Sequence, residues 1–174
     1  MSTMYVNKVQ ELNVGNGVII PGHVIQAHHH NMISTTTATG TVSTYTDLTN
    51  GSFTFTPKQA GSKLIVTMAN HVYCESGDTG WAAVSARIVI DGNAQSEKGS
   101  DGAADSYGVG IRYTGVSGSQ TVRIMGYEFK EEEYTTTGTT PIIIKGQFRV
   151  QDDGVQITIN RYGKGSISVL EIAQ

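Results

Sequence analysis

The stretch FRVQDDGVQITINRYGKGSISVLEI, residues 148–172, decides the fold class. It holds three strand-like runs, separated by Asp153-Gly154 and by the Gly-Lys-Gly of residues 163–165. Asp-Gly between alternating apolar runs is a strong hairpin signal, because both central residues of a type I′ turn need positive φ. Val155, Ile157 and Ile159 alternate with Gln156, Thr158 and Asn160, which gives one buried and one wetted face. In the last run Ile167 and Val169 share a phase, while Leu170 and Ile172 take the other. Two expectations follow: a bulge that shifts the register, or cover on both faces near the C-terminal end.

The same pattern extends upstream. SFTFTP (52–57) follows a second turn signal at Asn50-Gly51, and KLIVTMANHVY (63–73) sets Leu64, Val66, Met68 and Val72 against Thr67 and His71. WAAVSARIVIDG (81–92) runs to a turn at Asp91-Gly92, and a long polar loop over 93–106 leads to YGVGIRY (107–113). QTVRIMGYEF, a loop KEEEYTTTGTT over 130–140, and PIIIKGQFRV complete the series. That makes about eight or nine strands from residue 33 onward, joined by tight turns and long loops, and it predicts an all-β, jelly-roll-like two-sheet sandwich.

Composition agrees. Glycine and threonine are each present 21 times, and charged residues make up only 16%. Thr, Val, Ile and Tyr suit pleated, half-buried surfaces, and Gly suits the turns between them. The net charge of −3 leaves no basic field for nucleic acid. With one cysteine, Cys74, no intrachain disulfide forms, and folding in a reducing cytoplasm is natural. The opening MSTMYVNKVQEL lacks the basic and apolar regions of a secretory signal, and no apolar run approaches the ~20 residues of a membrane span.

Residues 1–30 read differently from the body at 31–174. Tyr5, Val9 and Leu12 stand at helical spacing until Gly15 and Gly17 end the pattern. Val18, Ile19, Ile20, Val24 and Ile25 then form an apolar cluster around a Pro21-Gly22 turn. An apolar cluster on an extension needs a partner surface, so residues 1–30 are expected to be a docking arm.

Four histidines fall within residues 23–30, three of them consecutive. Imidazole is a good transition-metal ligand, but neighbours on a strand point to opposite faces, so only His28 and His30 converge from one chain. A polar connector between arm and body is the competing reading, and no cofactor is expected. His71 and Cys74, three apart on a strand, face opposite ways and make a poor nucleophilic pair. The Asp91–Asp105 loop fails the twelve-residue calcium pattern at Ser96 and Gly102. Glu131, Glu132 and Glu133 form a run suited to a solvated loop or edge rather than to a glycosidase cleft. No phosphate-binding loop is present. The expectation is a protein that is not an enzyme. Tyr107, Tyr113 and Tyr134, near strand ends or loops, are candidates for glycan or protein recognition.

Three stretches carry a family likeness. NGSFTFTPKQAGSKLIVTMANHV resembles the Thr-Pro turn and following strand of small jelly-roll virion structural proteins of tailed bacteriophages. VQITINRYGKGSISVLEIAQ is similar to their closing strands, and MYVNKVQELNVGNGVIIPGHVIQ to their N-terminal arms. The resemblance implies a homotrimer in the virion, made in the host cytoplasm, serving as capsid decoration, head fibre or tail-fibre tip. Partners would be other copies and a major capsid or other virion protein, or a host-surface glycan for a fibre tip. Some phage fibres hold iron on a three-fold axis through His-x-His; His28 and His30 match that spacing but precede the body instead of lying in a shaft. With no long shaft in this sequence, the expectation leans to a decoration or cement protein.

Overall fold

Period-two alternation along nearly every run builds strands with one apolar face, and two sheets bury those faces against each other. The computed structural model describes residues 21–39, 42–76, 80–94, 109–113, 122–152, 156–161 and 164–174. Its strands are β1 (Val24–Met32), β2 (Thr36–Thr39), β3 (Val42–Phe55), β4 (Lys63–Ser76), β5 (Gly80–Ile90) and β6 (Asn93–Ala94). They continue as β7 (Val109–Tyr113), β8 (Val122–Thr135), β9 (Ile142–Asp152), β10 (Gln156–Ile159) and β11 (Gly165–Ile172).

β10 and β11 run in line along one side of β4, with β2 and β1 beyond them and β8 on the other side of β4. The second sheet places β9 between β3 and β5, with β6 and β7 beyond β5. Each sheet is therefore four strands wide. Lettered B to I in chain order, with β1/β2 as B and β10/β11 as I, the sheets read B-I-D-G and C-H-E-F. Successive strands alternate between sheets except at E–F, which is the connectivity of a jelly roll.

The core lies between the sheets. Leu64, Val66 and Met68 of β4 and Ile167 and Val169 of β11 meet Ile88 and Ile90 of β5 and Ile144 and Phe148 of β9, all buried. Gly146 on β9 is needed for this packing: a Cβ there would stand 2.6 Å from Met68 Sδ and 2.9 Å from Leu48 Cδ1.

Several sequence expectations are corrected. β9 and β10 flank Asp153-Gly154 but lie in different sheets, so no hairpin joins them; the turn itself is outside the described residues. β10 and β11 also form no hairpin, since both pair antiparallel with β4. Turn residues mark where a chain bends, not which neighbour it then pairs with. Asn50-Gly51 is an irregularity inside β3, with Asn50 at φ 55° and a register shift against β9 between Asp47 and Ser52. Asp91-Gly92 is the turn expected, with φ of 50° and 78°, and it closes a tight hairpin with Ile90 opposite Asn93, where the polar loop was expected to begin. KEEEY is strand rather than loop, because β8 pairs with β4 as far as Thr135.

The body also starts earlier than residue 31. β1 pairs with β11 from Val24 onward, and Gly22 N–H donates to the Ala173 carbonyl at 2.8 Å. Residues 1–20 lie outside the described part of the chain.

Candidate functional site

The last strand keeps one phase throughout, and that phase ends on a glutamate. Ile167, Val169, Glu171 and Ala173 are fully buried, while Leu170 is exposed. The last strand has neither the bulge nor the cover on both faces expected of it; the register shift lies in its partner β1, where Ile25 is an extra residue between Val24 and Gln26. Glu171 faces donors only: Ser62 Oγ at 2.6 Å, the amides of Lys58 (2.9 Å) and Gln59 (3.1 Å), and Gln26 Nε2 at 2.9 Å. Ser62 in turn meets Thr136 Oγ1 at 3.0 Å, and Thr136 donates to the Gln59 carbonyl at 2.8 Å. One carboxylate thus clasps β1, the turn after β3, β11 and the loop after β8. A buried acceptor survives only if its lone pairs are met, and here they are.

A second buried polar centre stands where the chain leaves β10. Asn160, at φ 60°, donates its amide N–H to the His71 carbonyl at 2.7 Å and accepts the His71 amide on Oδ1 at 3.1 Å. Gly165 leaves room for that side chain, since a Cβ there would fall 2.5 Å from Asn160 Nδ2.

His28 and His30 occupy the inward phase of β1, opposite Val169 and Ile167. Both rings stack on Phe53 of β3, with centroids 4.7 and 4.9 Å away, and close the open side of the sandwich between β1 and β3. His30 Nε2–H also donates to the Asn50 carbonyl at 2.7 Å. The outward His29 reaches Ser168 Oγ and Asn31 Oδ1. Among the described residues, no three His, Cys, Asp or Glu side chains are grouped to hold a metal.

The docking candidates divide. Tyr5, Val9, Leu12, Val18, Ile19 and Ile20 lie outside the described residues. Val24 is 53% exposed and sits opposite Ile172, with Leu170, 40% exposed, beside it; Ile25 is half-buried. Exposed apolar residues therefore gather where the N-terminal segment joins the body.

Of the aromatic candidates, Tyr107 is outside the described residues, and Tyr113 is placed only as backbone on β7 opposite Gly80. Tyr134 is half-buried against the core and lines a pocket of about 240 Å³ with Pro57, Asp91, Thr137 and Pro141. The row Val24, Ile172, Lys63, Thr135 runs across the first sheet, so pocket and N-terminal root share one end of the sandwich.

A charged cluster on the outer face of the second sheet has no counterpart in the sequence reading. Arg87 and Arg149 lie over the ring of Tyr45, 4.0 and 5.2 Å from its centroid, and Tyr45 Oη is 2.8 Å from Ser85 Oγ. Gln147 accepts from Arg87 Nε at 2.8 Å and donates to Asp47 at 2.6 Å, and Lys145 pairs with Asp47 at 2.9 Å. The Gln147 amide, then the Lys145 ammonium, hold the Asp47 carboxyl below its usual pKa.

No protein-family model matches the chain, and no curated protein does. Among solved structures, the infectious bursal disease virus VP2 subviral particle is similar at TM-score 0.38 and 10% identity, over 96% of this chain and 42% of that one. The infectious bursal disease virus Gx strain gives TM-score 0.36 and 8% identity over 86% and 37%. Desmodium yellow mottle tymovirus gives TM-score 0.20 and 13% identity over 100% and 98%. The chain spans less than half the length of the first two. Likeness at this level carries no weight for function, and the jelly roll rests on the strand order itself.

Proposed function

We propose that this chain is a virion structural protein of a tailed bacteriophage, a trimeric jelly-roll module docked on the particle through its N-terminal segment as a capsid decoration or cement protein. The observation that carries this reading is the exposed apolar group at the root of that segment, Val24 and Leu170 beside half-buried Ile25 and Ile172. Apolar side chains left in water at the exit of an apolar segment suit a surface that another protein covers. The resemblance of three stretches to phage virion proteins supports the assignment. Those stretches also meet physically, since Gln26, Lys58, Ser62 and Glu171 come one or more from each. The Tyr134 pocket shares the end from which the segment leaves, which favours docking on a particle over presentation of that pocket to a host glycan. No metal is part of this reading.

The test removes residues 1–20 only, because a cut at residue 30 would take most of β1 with it. The truncated chain, and a full chain carrying Val24→Asp and Leu170→Asp, should keep the sandwich by circular dichroism and lose attachment to particles stripped of the protein. Attachment at wild-type strength by both would refute docking at this root.

A further inference from the structure

The pocket beside Tyr134 is rich in oxygen and poor in N–H. No side chain on its wall carries nitrogen or positive charge; the polar ones are Asp91, Tyr134, Thr136, Thr137 and Thr140. The backbone adds little. Pro57 and Pro141 have no N–H, the Asp91 amide donates to the Ile143 carbonyl at 2.8 Å, and the Thr136 amide donates to the Ser62 carbonyl at 2.9 Å. The Asp91 carboxylate, by contrast, has no ion pair or hydrogen bond of its own among the described residues. Lys63, in the adjoining row of the sheet, is held by Glu133 at 2.9 Å, and Lys58 does not line the pocket.

That combination selects the charge of the ligand. An anion would meet a carboxylate with few N–H groups to offset it. A neutral sugar needs N–H donors for its own oxygens and leaves the charge of Asp91 uncompensated. A lysine or arginine side chain meets both conditions: its head only donates, and its methylene stem packs along apolar walls such as Pro57, Pro141, Ile142 and the Tyr134 ring. At about 240 Å³ the pocket is smaller than the ~300–1,000 Å³ of small-molecule sites, and it suits one side chain. We propose that it takes a single lysine or arginine side chain from the protein on which this chain docks. The proposal rests on the docking in the proposed function and names the chemistry of the partner there. Val24 and Leu170, at the same end of the sandwich, supply the apolar part of the contact, and the Asp91 pocket fixes its register.

The test uses the full-length chain and particles stripped of it. Asp91→Asn removes the charge and keeps the turn, since asparagine adopts the positive φ of this position as readily as aspartate. It should weaken attachment about tenfold or more. It should also flatten the loss of attachment as salt rises from about 0.1 M to about 1 M, where the screening length falls from ~10 Å to ~3 Å. Asp47→Asn, an equal loss of charge on the outer face of the second sheet, should leave attachment unchanged. On the isolated chain, millimolar N-acetylarginine amide or N-acetyllysine amide should shift the backbone NMR signals of Thr137 and Thr140, and Asp91→Asn should abolish those shifts. N-acetylglucosamine should not produce them. Attachment of the Asp91→Asn chain at wild-type strength, with the Val24→Asp and Leu170→Asp chain detached, would overturn the pocket contact and spare the docking. Equal weakening by Asp91→Asn and Asp47→Asn would reduce the effect to net charge and overturn it too. A wild-type chain that does not attach would overturn the docking and, with it, the particle as the source of the cation. Shifts with the sugar and none with either amide would overturn the cation chemistry itself.

Discussion

Glu171 accepts a hydrogen bond from Ser62 at 2.6 Å across 109 residues of chain, with both side chains fully buried. Around that pair, the first strand, the turn after β3, the last strand and the loop after β8 are held at one point. Packing between the sheets fixes their spacing; this polar clasp fixes which end closes and how.

Glu171→Gln should therefore cost about 2–3 kcal/mol, because one acceptor oxygen becomes a donor facing donors. Urea unfolding should show a lower midpoint at unchanged slope. An unchanged midpoint would mean that the turn at residues 57–62 is held by packing alone.

His28 and His30 should act as aromatic cover for Phe53. A double-mutant cycle between His30→Ala and Phe53→Leu should give a coupling of about 0.5–1.5 kcal/mol. Zero coupling would leave the stacked rings without energetic meaning.

Asp47 should titrate below the ~3.9 of a free aspartate, with its pKa lowered first by the Gln147 amide and next by Lys145. A depressed acid adds stability above its unfolded pKa and loses that contribution as pH falls through its folded one. Carboxyl carbon NMR should find the midpoint below the free value in the native protein, and Gln147→Leu should raise it. The effect on stability will be small, since the Asp47 side chain is 55% exposed.

Gly146→Ala should destabilise by about 1–3 kcal/mol through the new Cβ against Met68 and Leu48. Pairing it with Met68→Val, which shortens the opposing side chain, should recover part of the loss. Thermal melts of the three proteins decide the point.

The sandwich was legible because alternation survives whichever sheet a strand joins, as in Leu64, Val66 and Met68. Pairing was not. Asp153-Gly154 and the glycines at 163 and 165 look like hairpin turns, yet the strands they separate either change sheets or run in line along β4. That choice depends on contacts far away in sequence. Glu171 was hidden by its charge: following the phase of Ile167 and Val169 leads straight to it, but a carboxylate at a core position is believable only once its donors are known, and they come from residues 26 and 58–62. The cluster around Tyr45 was hidden for the same reason, since its members come from three strands. The histidine run was conspicuous, yet its structural partner, Phe53, gives no sign of the pairing in the sequence.

The two ends of the body leave side by side. Gly22 and Ala173 share a rung of the ladder between β1 and β11, with Ala173 N–H donating to the His23 carbonyl at 2.9 Å. Because β1 and β11 are antiparallel, a pull that separates these ends loads one rung at a time, in the manner of a zipper, instead of loading the whole ladder in shear. Under tension between its two ends the module is thus mechanically soft, and the first rungs to open lead directly to the Gln26–Glu171 contact.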